Sequence, residues 1–239
     1  MNTNSNSYVM VFAVGMCVTV GSILASLNTV LKDTQAAAAE FDRRKNVMIA
    51  AGLITRDTQK SREELETVFQ TRVTEVVVDT ATGQVVEDGE TADRLLEEDP
   101  QQYRYRVVGT SKNEAGEVET IILPVSGKGL WSTIYGYIAL KSDKKEVRGI
   151  TFYKHGETPG LGGEVENPEW TAKWAGKQIR DANDALIGVI VKKGEVDPGV
   201  PKEKMHYVDG LAGATITCNG VTAFIKRDLM TFDKYLSQN

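Results

Sequence analysis

Asp209 to Thr215 reads DGLAGAT, a run of small residues that ends on a hydroxyl where a helical pattern begins. Glycine lets backbone amides approach a bulky ligand, and the start of a helix offers unpaired N–H groups and the positive end of the dipole. A phosphate would be held there, with the Thr215 hydroxyl beside it. A tight connection with a threonine N-cap gives the same letters, and glycine spacing alone discriminates poorly. Two more glycine-rich stretches interrupt the chain, GKGLW at Gly127–Trp131 and HGETPGLGGEV at His155–Val165. The 209–215 stretch has neither GxGxxG after a strand nor GxxxxGK[ST], which disfavours Rossmann and Walker sites. Hydrolysis with Thr215 as nucleophile would need a paired base, and His155 and His206 are the only histidines in the chain.

These loops need a framework, and the totals allow one. With 239 residues, 41% apolar and 26% charged, the chain can bury a core as one large domain or two small ones. The net charge of -5, without a Lys/Arg cluster interleaved with aromatics, excludes nucleic acid as an expected partner. Cys17 and Cys218 lie far apart and form no metal-ligand spacing, so neither a disulfide framework nor a metal site is expected.

Met1 to Leu31 carries no charged side chain, and its centre is apolar enough for the roughly 20 residues of helix that cross a bilayer. A cleaved signal would need a positive amino-terminal region and a shorter core, and Met1–Ser7 has no Lys or Arg. A transmembrane anchor is the expectation. Gly21 and Ala25 on this span would let a second helix approach closely, and packing against lipid alone suits the same residues. Lys32, Arg43, Arg44 and Lys45 after the span would by simple counting keep the rest of the chain in the cytoplasm.

Beyond the span, Ala36–Ile54 reads as a helix with Phe41, Val47, Met48 and Ala51 on one face, stopped by Gly52, and a more charged helix follows from Arg56 to Val73. Three hairpins follow, with turns at Thr80–Gly83, Asn113–Gly116 and Ser142–Lys145. The acidic run Glu87–Asp99 reads as a solvated surface segment. Asn167–Pro168 opens a helix with Trp170, Trp174 and Ile179 on its buried face, and Ala185–Gly194 reads as a buried strand. Val221, Ile225, Leu229, Phe232 and Leu236 mark a terminal amphipathic helix over Thr217–Ser237, with Thr217 as its N-cap. The pattern is α+β, a mainly antiparallel sheet flanked by helices. The organisation is a tail and anchor at 1–31, a helical connector at 32–72 and one domain at 73–239.

The stretch Asp209–Thr215 resembles the Dxx[ST]GAT flavinylation motif, with Ala212 standing where the motif has Ser or Thr. Together with QAAAAEFDRRKNVMIAAGL, GKGLWS, YGYIALK, ITFYKHGETPGLGGEVENPEW and DGLAGATITCNGV, it makes the chain similar, from anchor to last helix, to the NqrC family of sodium-translocating NADH:quinone oxidoreductases. The HGETPGLGGEVENPEW block separates it from the related RnfG family of the Rnf ferredoxin:NAD oxidoreductase complex.

The resemblance implies FMN joined covalently to Thr215 by a phosphoester, placed there by a flavin transferase that takes it from FAD. Asp209, Gly213 and Ala214 then belong to the attachment motif. An Asx turn before Gly210 is the other reading of Asp209. Glu157, Thr158, Gly160, Leu161 and Gly162 match the flavin-contacting loop, Trp131 would wall the ring and Lys128 could offset charge. A surface turn about Pro159, a solvated Lys128 and a core or interface Trp131 are the plain alternatives. His155 is expected to bond a neighbouring backbone group, Cys218 to be a small packed residue, and no residue to be catalytic.

By the same resemblance the chain relays electrons between an iron-sulfur carrier and the next flavin of the complex. The family places the soluble domain on the periplasmic side of the bacterial inner membrane, against the charge count. A membrane-anchored flavin sensor without electron-transfer partners is the competing function.

Overall fold

The computed structural model describes residues 6–99 and 104–238, so Met1–Ser5 of the expected tail and Tyr103 at the head of the second hairpin lie outside the described residues. The chain divides into two compact units, 1–43 and 44–239. One helix, α1 (Asn6–Ala50), runs through both. The expected boundary at 31/32 falls inside α1, because Leu31–Lys32–Asp33 contains no glycine or proline to break the helix, which ends at Ala50 within the expected 32–72 connector. Val9 through Ala39 are all exposed, and α1 alone among the described helices is long and apolar enough to cross a membrane. It stops where expected. Gly52 has φ +72°, Gly52 N–H bonds Ile49 O at 3.0 Å and Leu53 N–H bonds Met48 O at 2.9 Å.

The second unit is built on a six-stranded sheet in which every neighbouring pair is antiparallel, in the order β2-β1-β3-β4-β5-β6. The strands are β1 (Val73–Asp79), β2 (Val85–Val86), β3 (Tyr105–Lys112), β4 (Val118–Lys128), β5 (Thr133–Lys141) and β6 (Val147–Lys154). All three expected hairpins are present. A short helix, α2 (Arg62–Arg72), feeds β1, and Ser61 and Glu64 form its capping box. The acidic run is a largely exposed surface segment, as expected, and it is ordered. It forms α3 (Gly89–Glu98), because the Asp88 carboxylate caps Thr91 N–H at 3.0 Å and Ala92 is buried.

Strand alternation sorts the sheet into two faces. Val108, Ile121, Leu123, Val125, Ile134, Ile138, Leu140 and Phe152 join one large core with Trp170, Trp174 and the terminal helices α6 (Thr215–Thr231) and α7 (Asp233–Leu236). Phe152 lies at its centre, with ring centroids 6.1 Å from Trp170, 6.4 Å from Trp174 and 6.3 Å from Phe224. On the other face the end of α1 lies along β6, where Thr151 Oγ1 donates to Asn46 O at 3.4 Å.

The helix expected from Asn167 is only α4 (Pro168–Ala172), with Asn167 as its cap. Trp170, Trp174 and Ile179 are all buried, but Gly176 at φ +83° has turned the chain before Ile179. The expected Ala185–Gly194 strand shrinks to β7 (Ile190–Val191), paired in parallel with β8 (Tyr207–Val208), which follows the short helix α5 (Pro201–His206). The terminal stripe Val221, Ile225, Leu229, Phe232 and Leu236 is buried, with a break at Phe232.

Candidate functional site

The helix α6 begins at Thr215, two residues earlier than the pattern suggested. Its N-cap is Ala214, whose methyl group accepts no hydrogen bond, so no side chain caps this terminus. Gly213, at φ +68°, turns the chain into the helix, a conformation costly for residues with a Cβ. Thr215 is exposed, and its hydroxyl has no hydrogen-bond partner among the described residues. Thr217 is not the N-cap. It lies within the first turn, buried to 1% exposure, and its Oγ1 donates to Glu157 Oε2 at 2.7 Å. Two threonines two residues apart thus have opposite fates, one presented and one consumed.

Glu157 is the hub of the surrounding loops. Its Oε1 accepts from Trp131 N–H at 2.9 Å and Ser132 N–H at 3.1 Å. Its Oε2 accepts from Leu130 N–H at 3.1 Å as well as from Thr217. One side chain therefore joins the β4–β5 turn, the loop after β6 and the first turn of α6. Burial pushes its carboxyl up, but the hydrogen bonds from Thr217 and the three amides outweigh burial and hold it below the usual carboxylate range. Both oxygens are fully engaged by protein donors. At Gly162 a Cβ would fall 2.7 Å from Thr217 Oγ1, which is why the loop can lie so close to α6. His155 bonds a backbone neighbour as expected, its Nδ1 accepting Glu157 N–H at 3.2 Å.

Thr158 and Gly160 lie in an exposed tight turn after β6, where Thr158 O accepts Leu161 N–H at 3.1 Å and Gly163 N–H at 2.9 Å. Leu161 projects from it toward Gly213, whose Cβ, if present, would lie 2.8 Å from Leu161 Cδ2. Trp131 is not core, being 66% exposed. Two residues not singled out from sequence share this exposure, Leu130 at 40% and Ile216 at 59%. Isolated exposed apolar residues are ordinary, but Leu130, Trp131, Leu161 and Ile216 sit on three segments joined by one carboxylate. Their only sequence signal was adjacency to Trp131 and Thr215. Lys128 is exposed and contacts Trp131 O at 3.4 Å.

Asp209 does not make the Asx turn. Its Oδ1 accepts Val196 N–H and its Oδ2 takes Lys173 Nζ, both at 2.6 Å, while its carbonyl accepts Trp170 Nε1–H at 2.8 Å. Burial opposes ionisation there too, and Lys173 and the Val196 amide outweigh it, so the carboxyl is held below its usual range. Cys218 is a packed, buried residue whose Sγ meets Leu211 N–H at 3.4 Å, and burial pushes its thiol up. A cleft of about 330 Å³ beside the loop is lined by Arg56, His155, Pro159 and Glu166 among others, but not by Thr215, Trp131 or Leu161. The Thr215 surface is open. Among the described residues neither histidine hydrogen-bonds the Thr215 hydroxyl: His155 Nδ1 accepts Glu157 N–H, and His206 Nδ1 pairs with Gln178 O at 2.7 Å.

A free hydroxyl at an uncapped helix start, with exposed apolar side chains on the segments that Glu157 joins, suits a ligand that joins a phosphate to an aromatic ring. Residues 129–229, from the β4–β5 turn to the end of the α6 stripe, match the FMN-binding domain family. The match enters at the turn held by Glu157 and contains Thr215.

NqrC of Pseudomonas aeruginosa, a component of its Na(+)-translocating NADH-quinone reductase, is 39% identical, over 92% of this chain and 90% of that protein. Its counterpart in Vibrio parahaemolyticus is 33% identical, over 98% of this chain and 92% of that protein. The crystal structure of the corresponding protein from Parabacteroides distasonis superposes with a TM-score of 0.71 at 28% identity, covering 87% of this chain and 98% of that one. The chain belongs to the NqrC family of Na(+)-translocating NADH-quinone reductase subunits.

Proposed function

We propose that this chain is the electron-carrying subunit of a sodium-translocating NADH:quinone reductase, with FMN joined to Thr215 Oγ1 through a phosphoester. The single observation that carries the reading is the contrast at the start of α6. Thr215 offers an exposed, unpartnered hydroxyl at an uncapped helix terminus, whereas Thr217 is buried and bonded to Glu157. A phosphate on Thr215 would meet the free amides of the first turn and the positive end of the helix dipole.

When bound, the flavin supplies one-electron redox chemistry, and the protein's share is to hold, orient and tune it. Leu130, Trp131, Leu161 and Ile216 give an apolar surface against which a ring can rest, and Trp131 offers the broadest face. Thr158 and Gly160 border it in the exposed turn before Leu161. Glu157 and Gly162 act behind this surface, holding its parts together. Asp209 and Gly213 shape the approach to Thr215, and Ala214 leaves the helix start uncapped.

The α1 helix ties the domain to the inner membrane as a single pass, with the soluble unit on the periplasmic side. Large domains translocate largely regardless of flanking charge, so Lys32, Arg43, Arg44 and Lys45 do not oppose that placement. The partners are the iron-sulfur and flavin-bearing subunits of the complex, and a flavin transferase that uses FAD during maturation. Intact-mass analysis of the full chain from a host containing the transferase tests the reading. Wild type carries one FMN adduct and Thr215→Ala carries none. An unmodified wild-type chain, or an adduct surviving Thr215→Ala, overturns it.

A further inference from the structure

Glu157 is a buried acid that accepts four hydrogen bonds from the segments carrying the exposed residues around Thr215. Its four donors come from two segments far apart in the chain. Leu130, Trp131 and Ser132 belong to the β4–β5 turn, and Thr217 lies within the helical turn that starts at the attachment threonine. Trp131 reaches outward from the same peptide unit whose N–H is bound at 2.9 Å. The position of that indole relative to Thr215 is therefore fixed through a carboxylate that itself lies at 5% exposure.

We propose that Glu157 is a positioning residue for the isoalloxazine ring: it locks the Leu130–Ser132 turn in register with the first turn of α6, and so sets the angle between Trp131 and the group carried on Thr215. This inference rests on FMN being attached at Thr215. It assigns Glu157 no contact with the ring. An ionised carboxylate, accepting on both oxygens, satisfies all four donors. A glutamine keeps the shape but turns an NH₂ toward Leu130 N–H and Thr217. The hydroxyl can rotate to accept, and the amide cannot. Valine at 217 removes the link to α6 alone and leaves the turn bound to Glu157.

The test compares full-length wild type, Glu157→Gln and Thr217→Val, each matured with the transferase, by intact mass and by visible circular dichroism of the flavin per adduct. All three should carry the adduct, because Thr215 is untouched. The flavin ellipticity should fall by roughly half in both variants as the ring loses its fixed angle to the indole. A change in folding stability alone would leave that signature intact in the folded fraction, so the readout separates positioning from general support. Adducts with wild-type ellipticity in both variants overturn this inference and leave the attachment reading standing. A wild-type chain without an adduct overturns both.

Discussion

Glu157 and Asp209 are both acids on glycine-rich loops, both held in the ionised form, and both within reach of the chain around Thr215, yet the fold uses them by different physics. Glu157 is bound by three amides and a hydroxyl, and no cation pairs with it among the described residues. Asp209 is bound by one amide and by Lys173, whose side chain is 49% exposed. The first tie draws on satisfied hydrogen bonds sealed from water. The second draws on a surface ion pair that water and salt weaken. A negative charge on a glycine-rich loop is thus not one kind of feature, and burial decides which kind it is.

Removing the Glu157 carboxylate should give the largest effect. Glu157→Ala leaves four donors without an acceptor, and unsatisfied buried donors cost about 1–3 kcal/mol each before water relieves them. Urea denaturation of the soluble unit should show a loss of about 3 kcal/mol or more. A loss near that of a surface pair would erase the contrast.

The close approach that allows this tie can be challenged at Gly220, where a Cβ would fall 2.2 Å from Lys128 O on the backbone. Gly220→Ala should cost about 1–3 kcal/mol by overpacking α6 against the end of β4, read as a lowered Tm. An unchanged Tm would mean that the helix and the hairpin are not pressed together there.

Asp209→Asn keeps an acceptor for Val196 N–H and removes only the attraction to Lys173. It should cost about 0.5–1 kcal/mol at low salt, and the difference from wild type should shrink in 1 M salt, where the Debye length is about 3 Å. A cost that salt leaves untouched would move Asp209 into the class of Glu157.

The smallest effect is the acid limb. Both carboxyls are held below their usual values in the folded chain, so each contributes stability that is fully present above the ordinary carboxylate range, about 4, and lost as pH falls through the depressed value. The slope of stability against pH in that acid range should flatten in Glu157→Gln and in Asp209→Asn. Equal slopes in wild type and both variants would show that neither acid is linked to folding.

Much of the framework was legible because its signals are local. Strand alternation and turn residues gave the three hairpins, and the 3.6-residue stripe from Val221 to Leu236 gave the helix that covers the sheet. Where a local signal was ambiguous, the outcome differed. The acidic run became α3 because a single cap and one buried alanine outweigh its charge, and the Trp170 helix stopped short because Gly176 reverses the chain. The parallel β7–β8 pair joins strands of two residues each, too short to leave a periodic trace.

Sequence alone determined the uncharged span of α1 and a small-residue loop ending in a hydroxyl at Thr215, because each is a property of neighbouring residues. Tertiary structure alone decided that Thr215 is free while Thr217 is bonded, that Trp131 faces outward, and that Leu130, Leu161 and Ile216 are left exposed. Those outcomes depend on a hydrogen bond between residues 60 apart, Glu157 and Thr217, and on three amides more than twenty residues before the same carboxylate. No periodicity or spacing encodes such a meeting. It arises only when sheet and helix have packed closely enough for one acid to reach both.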